Sequence, residues 1–295
     1  MHHKVNAKRT LGALGAALAL CLSLVPARAD TTPGYAYDPG TNTTTYAGVK
    51  FTDTQHFSGN ATLMLTAGTD NEITVSGKDD YGAEKDGVYS QNSLTIGGSG
   101  TLHITAGGKG VISWGGSITV KDTATVIIDA GSEGITTTYS GGGSPYLVVM
   151  AGTPQLTIRS GGTGINTTDG LSLQGGRLHI NAGNDGIYCD NFAEGSFAVQ
   201  NTALDITANQ NACYTYGDMS FKSSSVTARS STCLWADGGL VLTDSSADLT
   251  AKNGGALVSD TGNIRVAGTS DVSVKDGMEG VRCDSGTVEL TDTAH

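Results

Sequence analysis

Four aromatic residues and a series of acids are the residues of this 295-residue sequence whose types and spacing could do chemistry. Tyr188 and Tyr214 hold the same outward place in two successive repeats, and Tyr216 and Trp235 fall within two residues of it. Sugar rings pack on flat aromatic faces. Neighbouring carboxylates, here Asp190, Asp218 and Asp237, can accept sugar hydroxyls or hold a bridging cation. Tyr188, Tyr214, Tyr216 and Trp235 are therefore the expected ligand strip, with Trp114 and Tyr139 as outlying members. The competing reading is ring stacking that only stabilises the fold.

The acids form two columns. Asp86, Glu133, Asp185 and Glu279 each precede a corner residue, usually glycine. Asp169, Asp190, Asp218, Asp237, Asp260 and Asp284 fall one per repeat at the next corner. Carboxylates stacked in this way repel unless screened or bridged. Ca²⁺, a hard cation that takes oxygen ligands, suits such columns. Asp86, Asp185, Asp190, Asp218, Asp237 and Glu279 are its expected ligands, and Asp79, Asp80 and Asp86 in GKDDYGAEKDG form another candidate group. Against this stands the tendency of Asp to sit in turns, where it bonds nearby backbone N–H groups. No catalytic residue is singled out. Nearly every repeat has an Asp, so no carboxylate pair stands out for glycoside hydrolysis. No Ser-His-Asp grouping is readable, and the glycine runs lack the strand–loop–helix setting of a phosphate loop. His103 and His179 read as outward strand residues.

The elements that must position these residues come from a repeat of 21 to 25 residues in most copies, as in 171–195, LSLQGGRLHINAGNDGIYCDNFAEG. Each copy has two short runs of alternating apolar residues and a third apolar pulse after a glycine. Period-two alternation gives half-buried strands, and Gly, Asn and Asp between them give tight corners. Three strands and three corners per repeat make one coil of a solenoid. The expected fold is all-β, a right-handed parallel β-helix. The stretch TTTYSGGGSPY reads as a loop inserted at one corner. Within the stack, Gly87, Gly110, Gly134, Gly164, Gly186, Ala212, Thr232, Gly255 and Gly280 form a corner column. Val88, Val111, Ile135, Ile165, Ile187, Cys213, Cys233, Ala256 and Val281 form the inward column after it.

That alignment puts Cys213 and Cys233 on neighbouring coils about 5 Å apart, inside the disulfide window. A bond between them is expected, with reduced core cysteines as the alternative. Cys189 and Cys283 share another column four coils apart, roughly 19 Å, and read as small packing residues.

The N-terminus carries a basic stretch (Lys4, Lys8, Arg9), an apolar run from Leu11 to Val25, and Ala27-Arg28-Ala29 before Asp30. This is the pattern of a secretory signal peptide over 1–29. Residues 30–60 read as a lead-in or cap and 61–295 as the β-helix. Export to the medium or cell surface permits disulfides. No second long apolar segment suggests a membrane span in the mature chain. Without 1–29, 13 basic residues face 28 acidic ones, a net charge of −15. That balance excludes a nucleic-acid partner, which needs a basic footprint. A monomer is expected. The last repeat, starting at Thr287, is cut off, so a fragment of a longer chain is also expected.

The segments DGVYSQNSLTIGGSGTLHITAGGKGV, GLSLQGGRLHINAGNDGIYCDN and VSVKDGMEGVRCDSG resemble the secreted carbohydrate-binding β-helix proteins of clostridia and related bacteria. The resemblance implies a pectate-lyase-like right-handed β-helix, calcium sites, and non-catalytic binding of plant cell-wall polysaccharide. Asp86, Asp185 and Glu279 match that family's acidic corner, whereas Lys109, Thr163 and Gly254 depart from it. Two other functions compete. A Ca²⁺-dependent polysaccharide lyase needs a neutralised uronate and a nearby Arg or Lys base; Arg177, Arg229, Lys252, Lys275 and Arg282 are available. A structural surface protein or adhesin would use the solenoid as a spacer.

Overall fold

The computed structural model describes residues 33–138, 146–190, 197–275, 277–292 and 294. Among them no residue is helical, and the strands form one 12-stranded and two 10-stranded sheets. Apart from one N-terminal hairpin, every strand pair is parallel. Each strand pairs with its counterparts one repeat away, which is the connectivity of a β-solenoid of about nine turns. One coil runs through Ile118–Asp122 in the first sheet, Thr125–Ala130 in the second and Ile135–Thr137 in the third. Alternating burial along Thr125–Ala130 shows why the sequence folds this way: Val126, Ile128 and Ala130 turn inward, while Thr125, Ile127 and Asp129 turn out. In register, Ile104, Ile128, Ile158, Ile180 and Ile206 stack coil on coil in the second sheet, all fully buried. Each such side chain contributes about 1.5–3 kcal/mol of burial.

The first coil comprises Thr43–Tyr46, Lys50–Phe51 and Gln55–Phe57. The stretch 30–60 thus holds a full coil as well as a cap. The cap is Tyr35–Asp38, antiparallel to Thr43–Tyr46. Tyr35, Tyr46 and Phe51 close the end with ring centroids 5.2–6.2 Å apart. The inserted-loop expectation falls on 139–145, outside the described residues, as does Tyr139.

The corner column holds from Gly87 to Gly186 and then slips. Asn211 pairs with Thr232 and Cys213 with Leu234, so the inward column continues Ile187, Cys213, Leu234, Leu257, Val281. Cys233 and Ala256 sit one place earlier, level with Ala212. The alignment that put Cys213 and Cys233 in one column is corrected, because the third-sheet strands lengthen from three residues to five where the corner glycine is lost. Both residues are buried free thiols in this structure. Burial raises the Cys213 thiol pKa well above its ordinary value, so the thiol stays protonated.

Two residues after the aliphatic pulse, a column of small residues, six of the eight bearing a hydroxyl, points into the corner between the third and first sheets: Ser90, Ser113, Thr137, Thr167, Cys189, Thr215, Ala236, Ser259. All are buried. Their hydroxyls satisfy carbonyls that turn away from the ladder. Ser90 and Ser113 donate to Asn92 O at 2.7 and 2.8 Å, and Ser259 to Gly238 O and Gly262 O at 2.7 and 2.8 Å. Thr167 Oγ1 lies 2.8 Å from both Tyr146 O and Gly170 O. Replacing it with the isosteric valine leaves buried carbonyls short of a donor. Thr167→Val is expected to lower stability by about 1–2 kcal/mol, read as a reduced denaturant midpoint with an unchanged m-value.

At the corner between the first and second sheets the backbone turns through a left-handed residue in successive coils: Gly98, Asp122, Gly152, Gly175, Asn201, Ser223, Asp244, Gly268 and Asp292, with φ from 49° to 100°. Gly, Asn and Asp are the types that tolerate this region.

Candidate functional site

The site lies on the outer face of the third sheet. Its middle outward position reads Asn166, Tyr188, Tyr214, Trp235, Val258, Arg282 in consecutive coils. Two residues on, at the rim, come Asp190, Tyr216, Asp237, Asp260 and Asp284. Each of these donates its backbone N–H to the coil before. The structure therefore brings Tyr188, Tyr214, Tyr216 and Trp235 together. Centroids are 5.4 Å apart for Tyr188–Tyr214, 5.1 Å for Tyr214–Tyr216 and 5.0 Å for Tyr214–Trp235, the last two edge-to-face. Trp114 occupies the same rim column as Tyr216 but four coils earlier, half exposed and apart from the cluster.

The rim carboxylates hold the rings in place. Tyr214 Oη donates to Asp237 Oδ1 at 3.2 Å, and Trp235 Nε1 to Asp260 Oδ2 at 3.1 Å. Burial, with hydrogen bonds to Tyr216 and the adjoining Asp, pushes the phenols of Tyr188 and Tyr214 far above their usual pKa. Both are therefore protonated at neutral pH. Asp237 titrates higher than an ordinary carboxyl, first from burial and also from the nearby Asp260 charge, with the Tyr214 bond opposing. Arg282 was not assigned to this strip from sequence. Its guanidinium stands 5.9 Å over the Trp235 ring and within 3.4–3.6 Å of Asp260, Glu279 and Asp284. The signal was there: Arg282 directly precedes Cys283, as Tyr188 precedes Cys189.

The expected six-Asp column does not survive as a column. Asp190, Asp237, Asp260 and Asp284 share the rim, but Asp169 and Asp218 are displaced from it along the chain. Asp169 is buried and accepts the Tyr146 N–H at 2.7 Å; Asp218 accepts the Gly239 N–H at 2.7 Å. Both bonds reach the backbone of a neighbouring coil, so these acids tie coil to coil instead of lining the rim. Much of the other acidic column does the same. Asp86 accepts the Lys109 N–H at 2.7 Å, and Asp185 Oδ1 accepts both N–H groups offered by Asn211. Asp79 Oδ1 accepts the N–H of Tyr81 and of Ala83, both at 2.9 Å, beside a surface cavity of about 510 Å³ that Asp53, His56, Asp86 and Tyr89 help line. Among the described residues no three His, Cys, Asp or Glu side chains converge so as to hold a metal ion. Of the expected calcium ligands, Glu279 pairs with Arg282.

Glu133 ties three coils together. It takes Lys109 Nζ from the coil before, Thr136 Oγ1 at 2.9 Å from its own, and Asn166 Nδ2 at 3.0 Å from the coil after. Burial opposes its ionisation, but these donors outweigh burial and hold it below the usual Glu range. A depressed folded pKa gives stability that is present above the unfolded value near 4.3 and is lost as pH falls through the folded one. Glu133→Gln is expected to cost about 1–2 kcal/mol at pH 7 and to make the acid limb of the stability–pH curve shallower. Denaturant titrations at stepped pH would check both.

His103 and His179 lie in one outward column of the second sheet, with His179 Nδ1 3.2 Å from Asp205 Oδ2. Of the basic residues weighed for lyase chemistry, Arg229, Lys275 and Arg282 are engaged with carboxylates. No helix of the described residues is long and apolar enough to cross a membrane.

A family model described as "Carbohydrate-binding domain-containing protein" matches residues 45–140 and 142–294. Neither the curated proteins nor the solved structures include a significant match to the chain.

Proposed function

Because the chain belongs to the carbohydrate-binding domain-containing protein family, we propose that it acts outside the cell as a non-catalytic binder of polysaccharide, with the strip on its third sheet as the contact surface. The observation that carries this reading is the run of rings on consecutive coils, Tyr188, Tyr214 and Trp235, with Tyr216 and the rim carboxylates alongside. The rings repeat at the coil step of about 4.8 Å. That step is close to the length of one pyranose in an extended chain, so a glycan lying along the solenoid axis over Tyr188, Tyr214 and Trp235 meets a new ring with each sugar, with the rim acids Asp190 and Asp237 beside the first and third. The Tyr214 phenol oxygen, its proton given to Asp237, and the ionised rim acids accept from sugar hydroxyls, and ring faces take the apolar faces of the sugars.

A uronic-acid polymer would face a rim of like charge and a net acidic chain. It needs a cation between the two, with the polymer supplying ligands that the protein alone does not assemble. Retention on insoluble neutral and acidic plant polysaccharides, each with and without a chelator, tests the reading. A neutral glycan is expected to be retained in both conditions, and an acidic one only when calcium is present. Failure to be retained on any glycan would remove the reading altogether.

A further inference from the structure

Outward acids are partnered differently on two faces of the solenoid. On the second sheet, four of them each take a cation from a neighbouring coil: Glu72 takes Lys50 at 2.8 Å, Asp129 takes Arg159 at 3.1 Å, Asp205 takes Arg229 at 3.9 Å and Asp248 takes Lys275 at 3.0 Å. The rim of the ring strip is not neutralised in this way along its length. Arg282 serves Asp260 and Asp284 at one end. Among the described residues, Asp190 and Asp237 have no Lys, Arg or His side chain within ion-pair distance. Their partners are rings. Tyr188 bonds Asp190, and Tyr214 Oη donates to Asp237 Oδ1 at 3.2 Å. Burial and the neighbouring Asp260 charge raise the Asp237 pKa against the Tyr214 bond, and no cation opposes them.

We propose that the strip prefers a β-1,4-linked amino-sugar polymer whose C2 amines are free and protonated. This rests on the reading of the strip as a glycan surface and names the class of glycan that suits it best. A neutral sugar needs only ring faces and hydrogen-bond partners. An ammonium gains from both parts of the strip, because ring faces attract cations and ionised carboxylates pair with them. The spacing agrees. Asp190 and Asp237 lie two coils apart, with Tyr216 in the rim between them. Two coil steps are about 9.6 Å. In an extended β-1,4 chain successive sugars face opposite ways, so alternate sugars turn their C2 substituents to the same edge. The distance between those substituents is one two-sugar repeat, which is close to the two-coil spacing. The ammoniums of the first and third sugars therefore meet Asp190 and Asp237, and the sugar between them lies beside the Tyr216 phenol. A uronate placed there meets like charge, whereas a hydroxyl or acetamido group brings no charge to either acid.

The test is calorimetric titration of the full chain with three β-1,4 oligosaccharides of equal length, each long enough to cross all three rings. They differ only at C2, which carries a hydroxyl, an acetamido group or an ammonium. A chelator is present throughout, and far-UV circular dichroism confirms that each variant is folded. The ammonium form is expected to bind about tenfold or more tighter than the hydroxyl form. That gain should shrink with added salt and as pH rises through the pKa of the amine. Asn at either acid keeps an acceptor for the tyrosine and removes the charge. The double variant Asp190→Asn, Asp237→Asn should bring the two affinities to within about threefold of each other. Asp70→Asn removes the same charge from an exposed place on the second sheet and should leave their ratio within about twofold. Equal affinity for the ammonium and hydroxyl forms, a ratio unchanged in the double variant, or an equal fall in Asp70→Asn would each overturn the proposal while leaving the strip a glycan surface. Binding of none of the three would remove that reading as well.

Discussion

Trp235→Ala is expected to weaken glycan binding by about 30-fold or more, a loss of at least 2 kcal/mol, without unfolding the protein. Trp235 is the largest flat surface in the strip and the most firmly held. Its indole N–H is fixed by Asp260 and one face is covered by Arg282. A ring held this way loses little side-chain freedom when a sugar lands on it, so more of the contact energy appears as affinity. The side chain points outward from the sheet and is itself partly exposed, so its removal opens no cavity inside the solenoid. Tyr214→Ala should also weaken binding. The two losses should not add, because the ring centroids are 5.0 Å apart and the rings pack edge to face. Titration with a soluble oligosaccharide of whichever polymer is retained would measure both. An unchanged affinity in Trp235→Ala would move the binding surface elsewhere on the solenoid.

The largest stability effect is expected at a residue with no side chain. A Cβ on Gly134 would lie 2.3 Å from Ile158 Cγ2 and 2.5 Å from Gly164 O. The isoleucine belongs to the buried second-sheet ladder and the carbonyl to the next coil, so neither can yield cheaply. Gly134→Ala is expected to cost about 1–3 kcal/mol, as overpacking does, and to lower the melting temperature by several degrees. Ala212 occupies the same column in a later coil, where the structure already accommodates a methyl group. Ala212→Gly is therefore the comparison, with a much smaller expected change. Equal effects at the two sites would mean that the corner is not sterically closed at Gly134.

The sequence made the solenoid legible because its repeat is written twice over, once in alternating apolar residues and once in corner glycines. Where both signals were present, from Gly87 to Gly186, the inferred columns match the ladders residue for residue. Where Ala212, Cys233 and Ala256 replace the glycine, the second signal vanishes. Thr232 was then taken for the corner, and a slip of one residue followed. Cys233 and Leu234 are both fully buried where the strand has lengthened, so apolar character alone could not show the slip that put Cys233 in the place of Leu234. The ring strip was legible because Tyr188 and Tyr214 precede the slip. The rim acids were only half legible. Asp169 and Asp218 have the right residue type close to the right place, but each bonds a backbone N–H of a neighbouring coil, and composition cannot tell an Asp that ties two coils from a solvent-facing one. The hydroxyl column was missed because Ser, Thr and Cys were read one by one, as polar or small. What they share is an inward position two residues after the aliphatic pulse and a carbonyl within reach.

Linear stacking also governs how the molecule yields. Every coil touches only its neighbours, so stability is a sum over interfaces along a line rather than a property of one centre. A substitution that loosens one coil is therefore felt first by the coils on either side of it. The strip occupies three consecutive coils, those of Tyr188, Tyr214 and Trp235, so the surface proposed to hold a glycan keeps its shape as long as those coils and their immediate neighbours hold.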